Sequence, residues 1–156
     1  MTNQIAGDNL ARNTTFGRRN ARPRACIVDR KKHLRAFLTD ILEDIGFTTN
    51  ECAKADELGT IVETQLPDLM VLGLSADGIE AGKILEVLVR RQFAGKVLAI
   101  GAPESIIVRA VQQVGAEYGL AMLPPLTTPF AAGGLRKRVA PLLPEESRPS
   151  HPSSRL

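Results

Sequence analysis

A chain of 156 residues fits one domain with tails. Apolar residues make up 44% of it, enough for one core, and with no Trp, one Tyr and five Phe that core must be aliphatic. The net charge of +3 is uneven: residues 1–24 hold five Arg and one Asp while residues 25–143 hold thirteen basic and fourteen acidic residues, so the central part lacks the broad basic surface of a nucleic-acid binder.

Residues 1–23 are polar and without periodicity, and are expected to form a disordered basic arm. They lack the apolar stretch of a signal peptide, and no run further along reaches the length of a membrane span. A cytoplasmic protein without membrane contact is therefore expected. Arg18, Arg19 and Arg22 suit a solubilising tail, or contact with nucleic acid, acidic lipid or an acidic partner. Ala25–Val28 is a short apolar run ending at Asp29 and reads as a buried strand. Leu34, Phe37, Leu38, Ile41, Leu42 and Ile45 then recur at spacings of three and four, one helix face closed by Gly46. Phe47–Cys52 is a weak strand, polar enough for a sheet edge, and 56–65 a second helix with Leu58, Ile61 and Val62 inward.

Leu69–Leu72 is a continuous apolar strand after Pro67-Asp68. A third helix follows near Gly82, with Ile84, Leu85, Leu88 and Val89 inward, and ends before Gly95. Val97–Ile100 is a buried strand stopped by Gly101, and 105–118 a helix with Ile106, Ile107, Ala110, Val111 and Val114 apolar. Leu120–Leu123 reads as a fifth strand, and a last helix is expected from Pro129 to Leu142. Thr127-Thr128-Pro129 looks like its cap and first turn. Residues 144–156 are Pro/Ser-rich, the composition of a tail or linker.

Five strand–helix units with continuously apolar strands imply an α/β fold with both sheet faces covered, hence a five-stranded parallel sheet in a three-layer (βα)5, flavodoxin-like sandwich spanning 24–143. Function in such sheets sits at the carboxyl ends of the strands. Those ends are Asp29-Arg30, Gly73, Gly101-Ala102 and Pro124 to Thr128.

Three segments carry a resemblance: Ile27-Val-Asp-Arg30, Pro67-Asp-Leu-Met-Val-Leu-Gly-Leu74 and Leu123-Pro-Pro-Leu-Thr-Thr-Pro-Phe130. With them the chain resembles a response-regulator receiver domain across 24–143. Its last loop, and the Pro/Ser tail, are similar to receivers attached to EAL-type cyclic-di-GMP phosphodiesterases. The resemblance implies a site of five parts: two adjacent carboxylates for Mg²⁺, an aspartate that takes the phosphoryl group, a Ser or Thr, and a Lys before a Pro. At these positions stand Asp29-Arg30, Gly73, Gly101 and Thr128 ahead of Pro129. Only Asp29 matches. Glycine cannot form an acyl phosphate, and one carboxylate beside an arginine makes a poor Mg²⁺ site, so a degenerate phosphorylation pocket is expected, with no metal or cofactor.

Several residues keep two readings. Asp29 suits a cation, an ion pair with Arg30 or a neighbouring Lys, or a local contact at the start of a helix. Asp77 and Glu80, in the loop after the third strand, are solvated acids or a displaced acceptor. Gly73 and Gly101 mark turns with φ > 0, or an emptied pocket open to a small ligand or a partner side chain. His33 is an exposed helix residue or a phosphoryl carrier, and Cys26 and Cys52, on neighbouring strands, are core residues or a redox pair.

The resulting expectation is a pseudo-receiver without catalytic activity, acting through contact with a sensor kinase or other signalling protein, or as a homodimer, and without nucleic acid. Its contact face would be the first helix, or the fourth helix, fifth strand and fifth helix, where Ile106, Ile107, Val111, Leu135 and Val139 lie. The alternative is the regulatory part of a cyclic-di-GMP phosphodiesterase. A small α/β enzyme is the third reading, for which the sequence offers no nucleophile–base pair, metal cluster or phosphate loop.

Overall fold

The computed structural model describes residues 22–74 and 78–144. Strand β1 (Arg24–Val28) leads to helix α1 (Lys32–Asp44), edge strand β2 (Thr48–Cys52), a short 3-10 turn (Ala55–Glu57) and α2 (Leu58–Gln65). Strand β3 (Leu69–Gly73), α3 (Gly78–Arg90), β4 (Lys96–Gly101) and α4 (Ile106–Glu117) follow. The chain closes with two short strands, β5 (Ala121–Met122) and β6 (Leu126–Thr127), then α5 (Ala132–Val139) and a 3-10 turn (Ala140–Leu142). All ladders are parallel, in the order β2-β1-β3-β4-β5, with β6 also on β4.

Alternation along each strand divides the core in two. Cys26, Val28, Met70, Leu72, Val97 and Ala99 face one side, against buried residues of α2, α3 and α4. Ala25, Ile27, Leu69, Val71, Leu98 and Ile100 face the other, against Leu38 and Leu42 of α1 and Leu135 and Val139 of α5. This is the expected three-layer sandwich. Leu143 is only 2% exposed and belongs to the second cluster, while Leu126 of β6 anchors the same side. Gly46, at φ 120°, turns the chain out of α1 in a conformation glycine adopts freely.

The fifth strand departs from the single run Leu120–Leu123. Its two halves hold different registers on β4: Lys96 lies opposite Ala121, but Ile100 lies opposite Leu126. One extra residue is therefore accommodated between them, where Pro124 and Pro125 have no N–H to give a ladder. Arg138 of α5 donates to the two proline carbonyls, Nε to Pro124 at 3.0 Å and an Nη to Pro125 at 3.1 Å.

The last helix also starts later than expected. Thr127 ends β6, the Thr128-Pro129 peptide is cis, and the N-cap position of α5 is Ala131. Thr128 instead donates its N–H to the Gly101 carbonyl at 2.9 Å, continuing the strand pairing. Helix α3 begins earlier than expected, at Gly78. Phe37 was placed on the inward face of the first helix, but it stands 47% exposed, its ring tilted against Phe130 with centroids 6.0 Å apart.

Candidate functional site

The strand registers bring the four segments singled out in the sequence to one edge of the sheet. Val28 lies opposite Leu72, so Asp29 comes level with Gly73; Gly73 lies opposite Ile100; and Gly101 lies opposite Thr127, one residue before Thr128. The carboxyl ends of the strands therefore gather Asp29, Arg30, Gly73, Gly101 and Thr128. Asp77 and most of the basic arm, with Arg18 and Arg19, lie outside the described residues.

Asp29 is the only polar or charged residue buried among those described, at 4% exposure. One carboxylate oxygen, Oδ1, accepts the Lys31 N–H at 2.7 Å, at the N-cap position of α1. That is the helix-start contact anticipated for it. The Asp29 carbonyl accepts an Arg35 Nη1–H at 2.7 Å, and Arg35 also pairs with Glu51 at 3.2 Å. Sequence reasoning missed Arg35, because its role depends on β2 lying beside the first turn of α1. The other oxygen, Oδ2, is buried and has no hydrogen-bond partner among the described residues.

Oδ2 points at Gly73. A Cβ on Gly73 would fall far inside van der Waals contact with this oxygen and within 2.8 Å of Asp29 Cγ. The Asp29 carboxylate thus fills the volume a side chain at 73 would need. What remains, lined by Asp29, Arg30, Gly73, Glu80 and neighbouring apolar residues, is about 20 Å³, room for one water-sized group. The expectation of an emptied pocket open to a small ligand or a partner side chain is corrected: the space a side chain at 73 would take is filled by Asp29.

The turn reading of both glycines also fails. Neither Gly73 nor Gly101 has a positive φ; Gly46 and Gly119 are the described glycines that do. Crowding explains the residue type instead. A Cβ on Gly101 would meet Val108 Cγ2 at 2.5 Å and the Leu74 carbonyl oxygen at 3.0 Å. A hydroxyl-bearing residue there would need the Val108 side chain or the β3 end to shift.

Glu80 accepts the Ala55 N–H at 2.6 Å, tying α3 to the turn before α2. Arg30 and His33 are exposed on the surface, and Thr128 is half-buried. Cys26 and Cys52 are both buried with free thiols on adjacent strands, where Val28 rather than Cys26 lies opposite Cys52. Burial pushes the Cys26 thiol up to about 12 and the Cys52 thiol up to about 11, so both stay protonated and unreactive near neutrality. Among the described residues no helix is long and apolar enough to cross a membrane.

No protein-family model matches the chain, and no curated protein matches its sequence. Solved structures do match. A response regulator from Colwellia psychrerythraea superposes with a TM-score of 0.68 at 18% identity, over 78% of this chain and 97% of that one. The fold is that of a response-regulator receiver domain. The same receiver fold is seen in the chemotaxis protein CheY4 of Vibrio cholerae, with a TM-score of 0.64 at 18% identity over 79% of this chain and 100% of that one. A response regulator from Burkholderia pseudomallei, crystallised with a phosphorylated aspartic acid and a calcium ion, superposes at 0.59 with 14% identity, over 74% of this chain and 65% of that one. At such identities the likeness concerns the backbone, and the chemistry has to be argued from the residues.

Proposed function

We propose that this chain is a signalling module of the response-regulator kind that works by protein–protein contact and takes no phosphoryl group. The observation that carries the reading is the steric exclusion at Gly73. In a receiver fold the end of the third strand is where an acceptor carboxylate would stand, and here that volume holds the carboxylate of Asp29. Arg30 replaces the second acid, Gly101 the hydroxyl and Thr128 the lysine, so the acceptor and the groups that would hold a metal or read out a phosphate are replaced together. The proposed domain is 24–143, with the arm before it and the tail after it as separate segments. A sensor kinase or other signalling protein is the proposed partner class.

The test is a titration with Mg²⁺ and beryllofluoride, a mimic of a bound phosphoryl group, followed by amide NMR. The Gly73, Gly101 and Thr128 signals should stay in place. Saturable shifts at these three amides would overturn the reading.

A further inference from the structure

At the amino ends of the strands, opposite the face that gathers Asp29 and Gly73, lies a surface groove of about 500 Å³. It opens where α2 and α3 end and β3 and β4 begin, over the buried residues Val62, Pro67 and Phe93. Leu66 stands on its rim at 70% exposure. Both bordering helices are followed by a residue in the left-handed conformation, Leu66 at φ 50° after α2 and Gln92 at φ 56° after α3. Glycine is the usual residue at such a helix end, because a Cβ is disfavoured there. Of the three described non-glycine residues with a positive φ, two therefore line this groove, each keeping a side chain where the backbone favours none. Neither backbone nor solvent favours a leucine at 66; a segment lying across it would.

The chain itself supplies such a segment at the right place. Arg24, the first residue of β1, donates its N–H to Asp68 Oδ2 at 2.8 Å and a side-chain N–H to Gln65 Oε1 at 3.2 Å. Asp68 lines the groove and Gln65 precedes Leu66, so the chain enters the domain at the groove's edge. Residues 1–21 lie outside the described ones. Between Ala11 and Arg22 they and Arg22 bring four Arg, no acid and one aromatic ring, Phe16. The groove lining carries the acids Glu63 and Asp68 against one base, Arg91, which is already paired with Glu63. The stretch 16–24 spans at most about 27 Å and is anchored at Asp68, so Phe16 can turn back over Leu66. Tethering sets an effective concentration of about millimolar, which fills the groove through contacts too weak to hold a free partner.

We infer that the N-terminal arm folds back onto this groove, with the Phe16 ring against Leu66 and Ala94 and with Arg18 and Arg19 facing Asp68 and Glu63. Such a docked arm differs from the disordered one expected from composition. Its docking does not depend on whether Gly73 excludes phosphate.

NMR of the full chain tests this. The Phe16 ring protons should show nuclear Overhauser contacts to the Leu66 methyl groups. Phe16→Ser, outside the core clusters, should shift the amide signals of Leu66, Gln92, Phe93 and Ala94 while leaving those of α4 in place. Leu66→Asn, a residue that suits the left-handed conformation, should shift the amides of residues 15–19 in return. Unchanged signals from the central strands report that both variants are folded. All of these signals should stay fixed when the protein is diluted. No contact from Phe16 to Leu66, groove amides that Phe16→Ser leaves in place, arm amides that Leu66→Asn leaves in place, or groove amides that move on dilution, the sign of a second copy in the groove, would each overturn the inference.

Discussion

Asp29 and Gly73 behave as one steric unit. With Oδ2 of Asp29 in the space of a Gly73 side chain, Gly73→Ala should cost about 1–3 kcal/mol of stability, as overpacking does. In an Asp29→Ala background the same change should cost less than about half as much, a coupling that urea unfolding of the four chains measures. Equal costs in both backgrounds would show that the carboxylate is not the obstacle. The residue types at this site were legible in the sequence, because an acceptor position reading glycine is visible without coordinates. That Asp29 turns inward to fill the gap was not, since it depends on a rotamer and on a register between strands far apart in the chain. The cysteines give a second test. Their folded-state pKa values, raised by burial to about 12 and about 11 from the ordinary thiol value of 9.0, mean that the native state holds protons the unfolded chain releases. Their stabilising contribution is complete below pH 9, and falls as pH rises toward the folded values. Urea midpoints should therefore decline across that window, and a Cys26→Ala, Cys52→Ala chain should decline less steeply.

Among the elements, those with a clear hydrophobic period matched their expected places. The apolar runs at Ala25–Val28, Leu69–Leu72 and Val97–Ile100 became central strands because both faces of this sheet are covered. The polar run ending at Cys52 became an edge strand for the converse reason. The final third of the chain was harder to read. Pro124-Pro125 breaks the fifth strand into β5 and β6, and Thr128-Pro129, which has the look of a helix start, continues the strand pairing instead. Local sequence favours a cap there, but the ladder bond from Thr128 to Gly101 and the burial of Leu126 prevail. Arg138 holds the interruption in shape through the carbonyls of both prolines. Arg138→Ala should cost about 1.5 kcal/mol, the low end for bonds from a charged donor because water can replace it at exposed Pro124. Amide exchange at Thr128 should accelerate at the same time. Unchanged exchange there would show that the proline segment keeps its shape without the arginine.

For the whole molecule, the receiver scaffold and its site part company. The two core clusters hold Phe47, Leu58, Leu98 and Leu135 fully buried, so the sandwich carries most of the apolar burial that holds the fold. Leu98→Ala, a central-strand truncation, should cost about 2–5 kcal/mol and lower the unfolding midpoint accordingly. A scaffold held in this way can offer its surfaces to a partner without phosphate chemistry, as the proposed function requires. The intact mass of the chain after incubation with acetyl phosphate and Mg²⁺ tests this most directly. An unchanged mass is the expected result, since Gly73 offers no carboxylate and Asp29 fills the space beside it. A gain of one phosphoryl group, mapped to any carboxylate at the strand ends or in the loop after β3, would contradict it.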